Sequence, residues 1–142
     1  MSSQFQYLDL IDTLSERHIQ LRETIENKWN KQSNIYLSNT EWFILAKIYQ
    51  KETTIAYVTK QVGISRQATH KFIKNLEVKG LVEVFNVPHN KKDKYLKMTQ
   101  LGEECYEKNI ELKAKLEKKI AKSIGQENFT MLRELLKSDW GL

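Results

Sequence analysis

The chain has a single cysteine, Cys105, a single proline, Pro88, and five glycines in 142 residues. A lone thiol closes no intrachain disulfide and builds no cysteine-based zinc site, which suits a reducing compartment. So little proline and glycine argues against a turn-rich β protein and for long helices. Long apolar runs are missing as well. The longest, Trp42 to Ala46, falls far short of the roughly 20 residues that a membrane span needs. The opening Met1-Ser2-Ser3-Gln4-Phe5-Gln6-Tyr7 has no basic segment leading into an apolar stretch. No export signal is therefore expected, and the cytoplasm is the expected compartment. His18, His70 and His89 are scattered, with no acidic or thiol neighbour at metal-ligand spacing. With no nucleophile–base–acid set and no glycine-rich phosphate loop, neither an enzyme nor a metal or cofactor is expected.

What is present fits one soluble domain spanning residues 1–142. Hydrophobic residues make up 40% and charged residues 29%, enough apolar content for a real core and too much for general disorder. The net charge of +5 is unevenly placed. Between Lys60 and Lys97 stand nine Lys/Arg against Glu77, Glu83 and Asp93, and the rest of the chain is close to neutral. Such a basic centre is the footprint of a polyanion partner, or else a plain solvated surface.

The periodicity predicts a helix over about residues 5–31, with Leu8, Ile11, Leu14, Leu21, Ile25 and Trp29 on one stripe. Ser38 or Asn39 caps a second helix carrying Trp42, Phe43, Leu45, Ala46 and Tyr49, and Glu41 stands where a capping box places its acid. A short helix over 55–62 ends at Gly63, which can close a helix in the left-handed conformation. Ser65 opens the next helix, running to about Lys79 and stopping at Gly80. Two helices around a tight glycine turn make a helix-turn-helix. Alternation over 81–85 and 94–98 predicts two strands, with a basic loop Asn86–Asp93 between them: a wing. Two long helices, about 99–123 and 126–138, close the chain. The first has the stripe Leu101, Cys105, Leu112, Leu116, Ile120 and Ile124. The fold class is thus mainly α with a small β-hairpin wing. A winged helix-turn-helix lobe over 34–98 lies between helical regions 1–31 and 99–142.

On a helical wheel, Ala68, Phe72, Leu76, Ile73 and Thr69 cover one side of the helix after Ser65, and Gln67, His70 and Lys74 lie opposite, flanked by Arg66 and Lys71. Glutamine pairs bidentately with adenine and arginine with guanine, while serine and lysine hold phosphates. The expected partner is therefore double-stranded DNA. Its expected contacts are Ser65, Arg66, Gln67, Thr69, His70, Lys71 and Lys74 of the helix, and Lys91, Lys92 and Lys94 of the wing.

Leu37 to Gly102 resembles the core of the MarR (multiple-antibiotic-resistance regulator) family. The matching stretches are Leu37-Ser38-Asn39-Thr40-Glu41-Trp42, Ile64-Ser65-Arg66-Gln67-Ala68-Thr69, Leu76-Glu77-Val78-Lys79-Gly80-Leu81-Val82 and Leu96-Lys97-Met98-Thr99-Gln100-Leu101-Gly102. The resemblance implies a homodimer whose terminal helices intertwine. It also implies binding to pseudo-palindromic promoter sites, usually as a repressor, and release by a small aromatic or phenolic ligand. The wing departs from the family pattern, with Asn90-Lys91-Lys92 standing where Asp-Arg-Arg is common. For such a ligand the expected contacts are His18, Tyr36, Trp42 and Tyr49. His18 reads first as a satisfied interface histidine and only second as a ligand contact. The other expected function is a protein-binding antirepressor or adaptor that has lost DNA affinity. Peroxide sensing through a first-helix cysteine is not expected, and Cys105 reads as a buried small hydrophobe.

Overall fold

A computed structural model describes residues 5–142. Residues 1–4, part of the expected N-terminal region 1–31, lie outside the described residues. The first helix, α1 (Leu10–Gln32), begins later than its apolar pattern implies. Asp9 takes the N-cap, its carboxylate accepting the Asp12 N–H at 2.8 Å, and Leu8 N–H bonds to Phe5 carbonyl in a turn before it. The cap, not the apolar stripe, sets the start.

Ser38 then caps α2 (Asn39–Ile48) in a full capping box: Glu41 N–H donates to Ser38 Oγ, and Ser38 N–H donates to Glu41 Oε1 at 2.9 Å. Ile44, Leu45 and Ile48 are fully buried, whereas Phe43 and Ala46 face outward. Trp29 of α1 meets Trp42 edge-on, with ring centroids 5.0 Å apart, and donates its indole N–H to Ile35 carbonyl at 2.7 Å. That contact ties the buried end of α1 to the α1–α2 connection.

Two residues form β1 (Thr53–Thr54), and Thr54 caps α3 (Ile55–Val62). Gly63 closes α3 at φ 71°, as its position predicts. Ser65 caps α4 (Arg66–Val78) through the Ala68 N–H. The wing follows as β2 (Val82–Val87) and β3 (Asn90–Met98), antiparallel, with β3 central in a sheet ordered β1-β3-β2. The expected loop Asn86–Asp93 is therefore a correction. The strands run on into it and the turn shrinks to Pro88–His89, with Val87 paired to Asn90 and a bulge over Lys91–Lys94 before Tyr95 pairs with Phe85. The Asn90 carboxamide oxygen accepts the N–H groups of Lys92 and Asp93 at 3.2 Å, holding a polar stretch in a conformation its low β-propensity does not favour.

Thr99 caps α5 (Gln100–Ile124), and α6 (Gln126–Lys137) packs back on it. The core lies inside the winged lobe, where Leu45, Ile48, Val58, Ile73, Leu76 and Leu96 are almost wholly enclosed. Outside it the helices are half-dressed. Ile25 and Trp29 alone are buried on α1, while Leu10, Ile11, Leu14, Ile19 and Leu21 stay exposed, as do Met131, Leu132, Leu135 and Leu136 on α6.

Candidate nucleic-acid interface

Helix α4 sorts its residues by face. Ile73 and Leu76 are buried against the lobe, and Phe72 packs partly on the same core. Arg66, Gln67, His70, Lys71 and Lys74 are all exposed. Thr69 is not on that surface. It is 0% exposed, and its hydroxyl donates to Ser65 carbonyl at 2.9 Å. A β-branched residue on the inner edge of the stripe packs well and satisfies its one polar group locally, so Thr69 supports the exposed face instead of belonging to it. Ser65 remains exposed at the N-cap. Its Oγ accepts the Ala68 N–H at 3.1 Å, which leaves its own O–H free to donate to an anion at the positive end of the helix.

Beyond α4, Lys91, Lys92 and Lys94 are exposed on β3, next to the Pro88–His89 turn. Asn90 Nδ2 donates to Asp93 Oδ2 at 3.0 Å, so the one acidic group near the tip is engaged within the wing. Among the described residues the ion pairs are Lys79–Glu41 and Arg133–Glu117. The expected lysine and arginine contacts thus carry unpaired charge on the surface. An anion meeting them displaces only water and mobile counterions.

The four residues expected to bind a ligand do not converge. Trp42 is buried in the lobe against Trp29. Tyr49 donates its hydroxyl to Glu107 Oε1 at 2.9 Å and stacks on Tyr106 at 4.7 Å; the carboxylate partner raises its pKa above the usual phenol value. Tyr36 is half exposed beneath the ammonium of Lys79. His18 alone lines a groove, of about 430 Å³, between α1, α5 and α6. Leu21, Ile25, Leu116 and Phe129 line it, together with Arg22, Lys113 and the ion-paired Arg133 and Glu117. Burial there, with Arg22 nearby, lowers the pKa of Lys113. Tertiary packing, invisible to a helical wheel, disperses the quartet.

Two features escape the sequence reading. Glu41 is 3% exposed and bonds Lys79 at the end of α4, a contact hinted at only by the capping-box position of Glu41. Asn109 is 1% exposed, and neither its Oδ1 nor its Nδ2 has a partner within the described residues. It stands four residues after Cys105 on the stripe of α5, and a polar residue at a stripe position was the available signal. No cluster of three or more metal-ligating side chains occurs among the described residues, and no helix among them is long and apolar enough to cross a membrane.

No protein-family model and no curated protein matches the sequence. Solved structures do match. The transcriptional repressor CouR, bound to a 23-mer DNA duplex, aligns with TM-score 0.79 at 17% identity, covering 96% of this chain and 95% of its own. The reduced form of MarR from E. coli aligns with TM-score 0.78 at 18% identity, over 92% and 95%. The transcriptional regulator BldR from Sulfolobus solfataricus aligns with TM-score 0.68 at 19% identity, over 96% and 98%. Agreement across nearly the full length of each chain establishes the architecture, and this protein has the winged-helix fold of the MarR-type regulators.

Proposed function

We propose that this protein is a cytoplasmic, sequence-specific DNA-binding transcriptional regulator and not an enzyme. In this reading it is a homodimeric repressor of a pseudo-palindromic promoter site. One observation carries the proposal: Arg66, Gln67, His70, Lys71 and Lys74 share the exposed face of α4 beside the unpaired lysines of the wing. Helix α4 enters the major groove, where Gln67 and Arg66 read base edges. Ser65, Lys71 and Lys74 hold backbone. Lys91, Lys92 and Lys94 meet phosphate or the minor groove, less selectively than arginine, because an ammonium lacks the planar fork of a guanidinium.

The helical regions 1–31 and 99–142 serve dimerisation in this reading. Its support is the apolar surface that one chain leaves open on α1, α5 and α6, from Ile11 and Leu14 to Ile124 and Leu135. Release by a small aromatic or phenolic ligand has one support, the apolar groove beside His18, whose lining includes Arg22 and Lys113. Duplexes selected by the protein from a random pool test the whole reading. The selected duplex must bind more tightly than a scrambled one, and both affinities must fall steeply with salt. Binding that ignores both sequence and salt would instead identify a protein-binding adaptor.

A further inference from the structure

Helix α4 packs on the lobe through Thr69, Ile73 and Leu76, and at its C-terminal end a polar contact is added to that packing. Lys79, its C-cap residue, places Nζ 2.6 Å from Glu41 Oε2 in the first turn of α2. The other oxygen of Glu41 is already engaged by the Ser38 N–H, so a buried carboxylate has each oxygen satisfied and no freedom to swing. The same end is held from the other side. Gly80 carbonyl accepts the Thr99 hydroxyl at 2.6 Å, and Leu81 carbonyl accepts the Thr99 N–H at 3.1 Å, just before α5. At the opposite end, Arg66 and Gln67 are exposed.

The lever arm is long. Thirteen residues span about 20 Å, so a tilt of about 5° at the anchored end carries the first turn through roughly 1.7 Å. Hydrogen bonds to base edges tolerate only a few tenths of an ångström. Phosphate attraction is far less demanding of position.

We propose that Glu41 and Lys79 are a positioning pair for base reading: they fix the tilt of α4 against α2, and sequence discrimination depends on them although neither touches DNA. The inference rests on the DNA-binding reading and deepens it. Lys79 belongs to the basic segment by sequence, yet its ammonium is turned inward to Glu41 and supplies no phosphate contact.

The test uses the full-length protein, Glu41→Gln, Lys79→Met, the double variant and Lys79→Arg. Glutamine keeps the capping box and methionine keeps the stem, so each removes the charge and little else. A duplex selected by the wild type and its scrambled counterpart are titrated at several salt concentrations, well below each melting midpoint. Each single variant should lose at least tenfold in affinity for the selected duplex, while the scrambled duplex changes by less than about twofold at unaltered salt slope. The double variant should be no worse than either single one, and Lys79→Arg should recover most of the loss. Unchanged discrimination in the folded variants overturns the proposal. So does a salt slope flattened by about one unit in Lys79→Met, which would make Lys79 a phosphate contact. Should a variant not fold, the remaining one and Lys79→Arg decide. A wild type that binds no duplex refutes the DNA reading itself, and this inference with it.

Discussion

Gly102→Ala pits two effects of opposite sign against each other. Gly102 is the third residue of α5 and is buried. By intrinsic propensity, alanine there gains about 1 kcal/mol in helix stability over glycine. The packing says otherwise. A Cβ on Gly102 would overlap the carbonyl oxygen of Leu81 and lie 3.0 Å from its carbonyl carbon. That carbonyl is no flexible tip. Leu81 is fully buried, its N–H bonds to Leu76 carbonyl at 3.0 Å, and its oxygen accepts the Thr99 N–H. To make room, α5 must move away from Leu81 and loosen the Thr99 bonds. Overpacking of this kind costs about 1–3 kcal/mol, and each of two weakened hydrogen bonds about 1 kcal/mol more. After the propensity gain, the net loss is about 2–4 kcal/mol. At about 4 °C per kcal/mol for a chain of this size, the midpoint falls by roughly 8–16 °C. Thermal melts by circular dichroism at matched protein concentration measure it. Gly63→Ala is the control: open space surrounds that position, so only its left-handed backbone, about 1–2 kcal/mol, is penalised. A Gly102→Ala protein melting at or above the wild type would refute the reasoning, because α5 would then be free to leave Leu81.

Alanine at Arg66, Gln67 or His70 should relax specificity by about 1–3 kcal/mol at the matched base, whereas alanine at Lys91 and Lys92 should weaken all DNA alike and flatten the salt slope. The reverse pattern in the same titrations would make the wing the reader and the helix the clamp. Sedimentation at micromolar concentration should show a dimer, and a stable folded monomer would remove the role given to α1, α5 and α6. Burial raises the pKa of Cys105, so native protein should react slowly with thiol reagents and unfolded protein quickly. The linkage has a definite sign. The raised folded value gives stability that is present below the ordinary thiol range and lost as pH rises through it, so Cys105→Ala should flatten the alkaline fall of the melting temperature.

Local signals were legible and long-range ones were not. Ser38 and Ser65 cap where the sequence allows, because an N-cap needs only a side chain and an amide three residues away, and Gly63 closes α3 because glycine takes the left-handed backbone at little cost. Strand β1 was not foreseen. Two threonines become a strand only by pairing with Leu96 and Tyr95, about forty positions further on. The wing shows the same division. Its hairpin is read from alternation, but the extension of β3 back to Asn90 depends on pairing with Val87 across a bulge, and Lys-Lys-Asp-Lys carries no strand propensity to announce it. At the interface the helical period separates the inner from the outer face. Thr69 sat between the two, and burial decided it.

Charge is where a count from sequence misleads most. Nine basic residues fill the segment from Lys60 to Lys97, but an ammonium acts on DNA only if nothing in the protein has claimed it. Lys79 is claimed by Glu41. Six proposed contacts keep exposed charge: Arg66, Lys71, Lys74, Lys91, Lys92 and Lys94. At about 0.9 counterion released per phosphate neutralised, they limit the salt slope to about 5 per protomer. Three of the six are wing lysines, which neutralise phosphate as well as arginine does but carry little base information. In the proposed reading, discrimination therefore falls to the first turns of α4 and to whatever holds that helix at its angle, while the wing supplies affinity for DNA of any sequence.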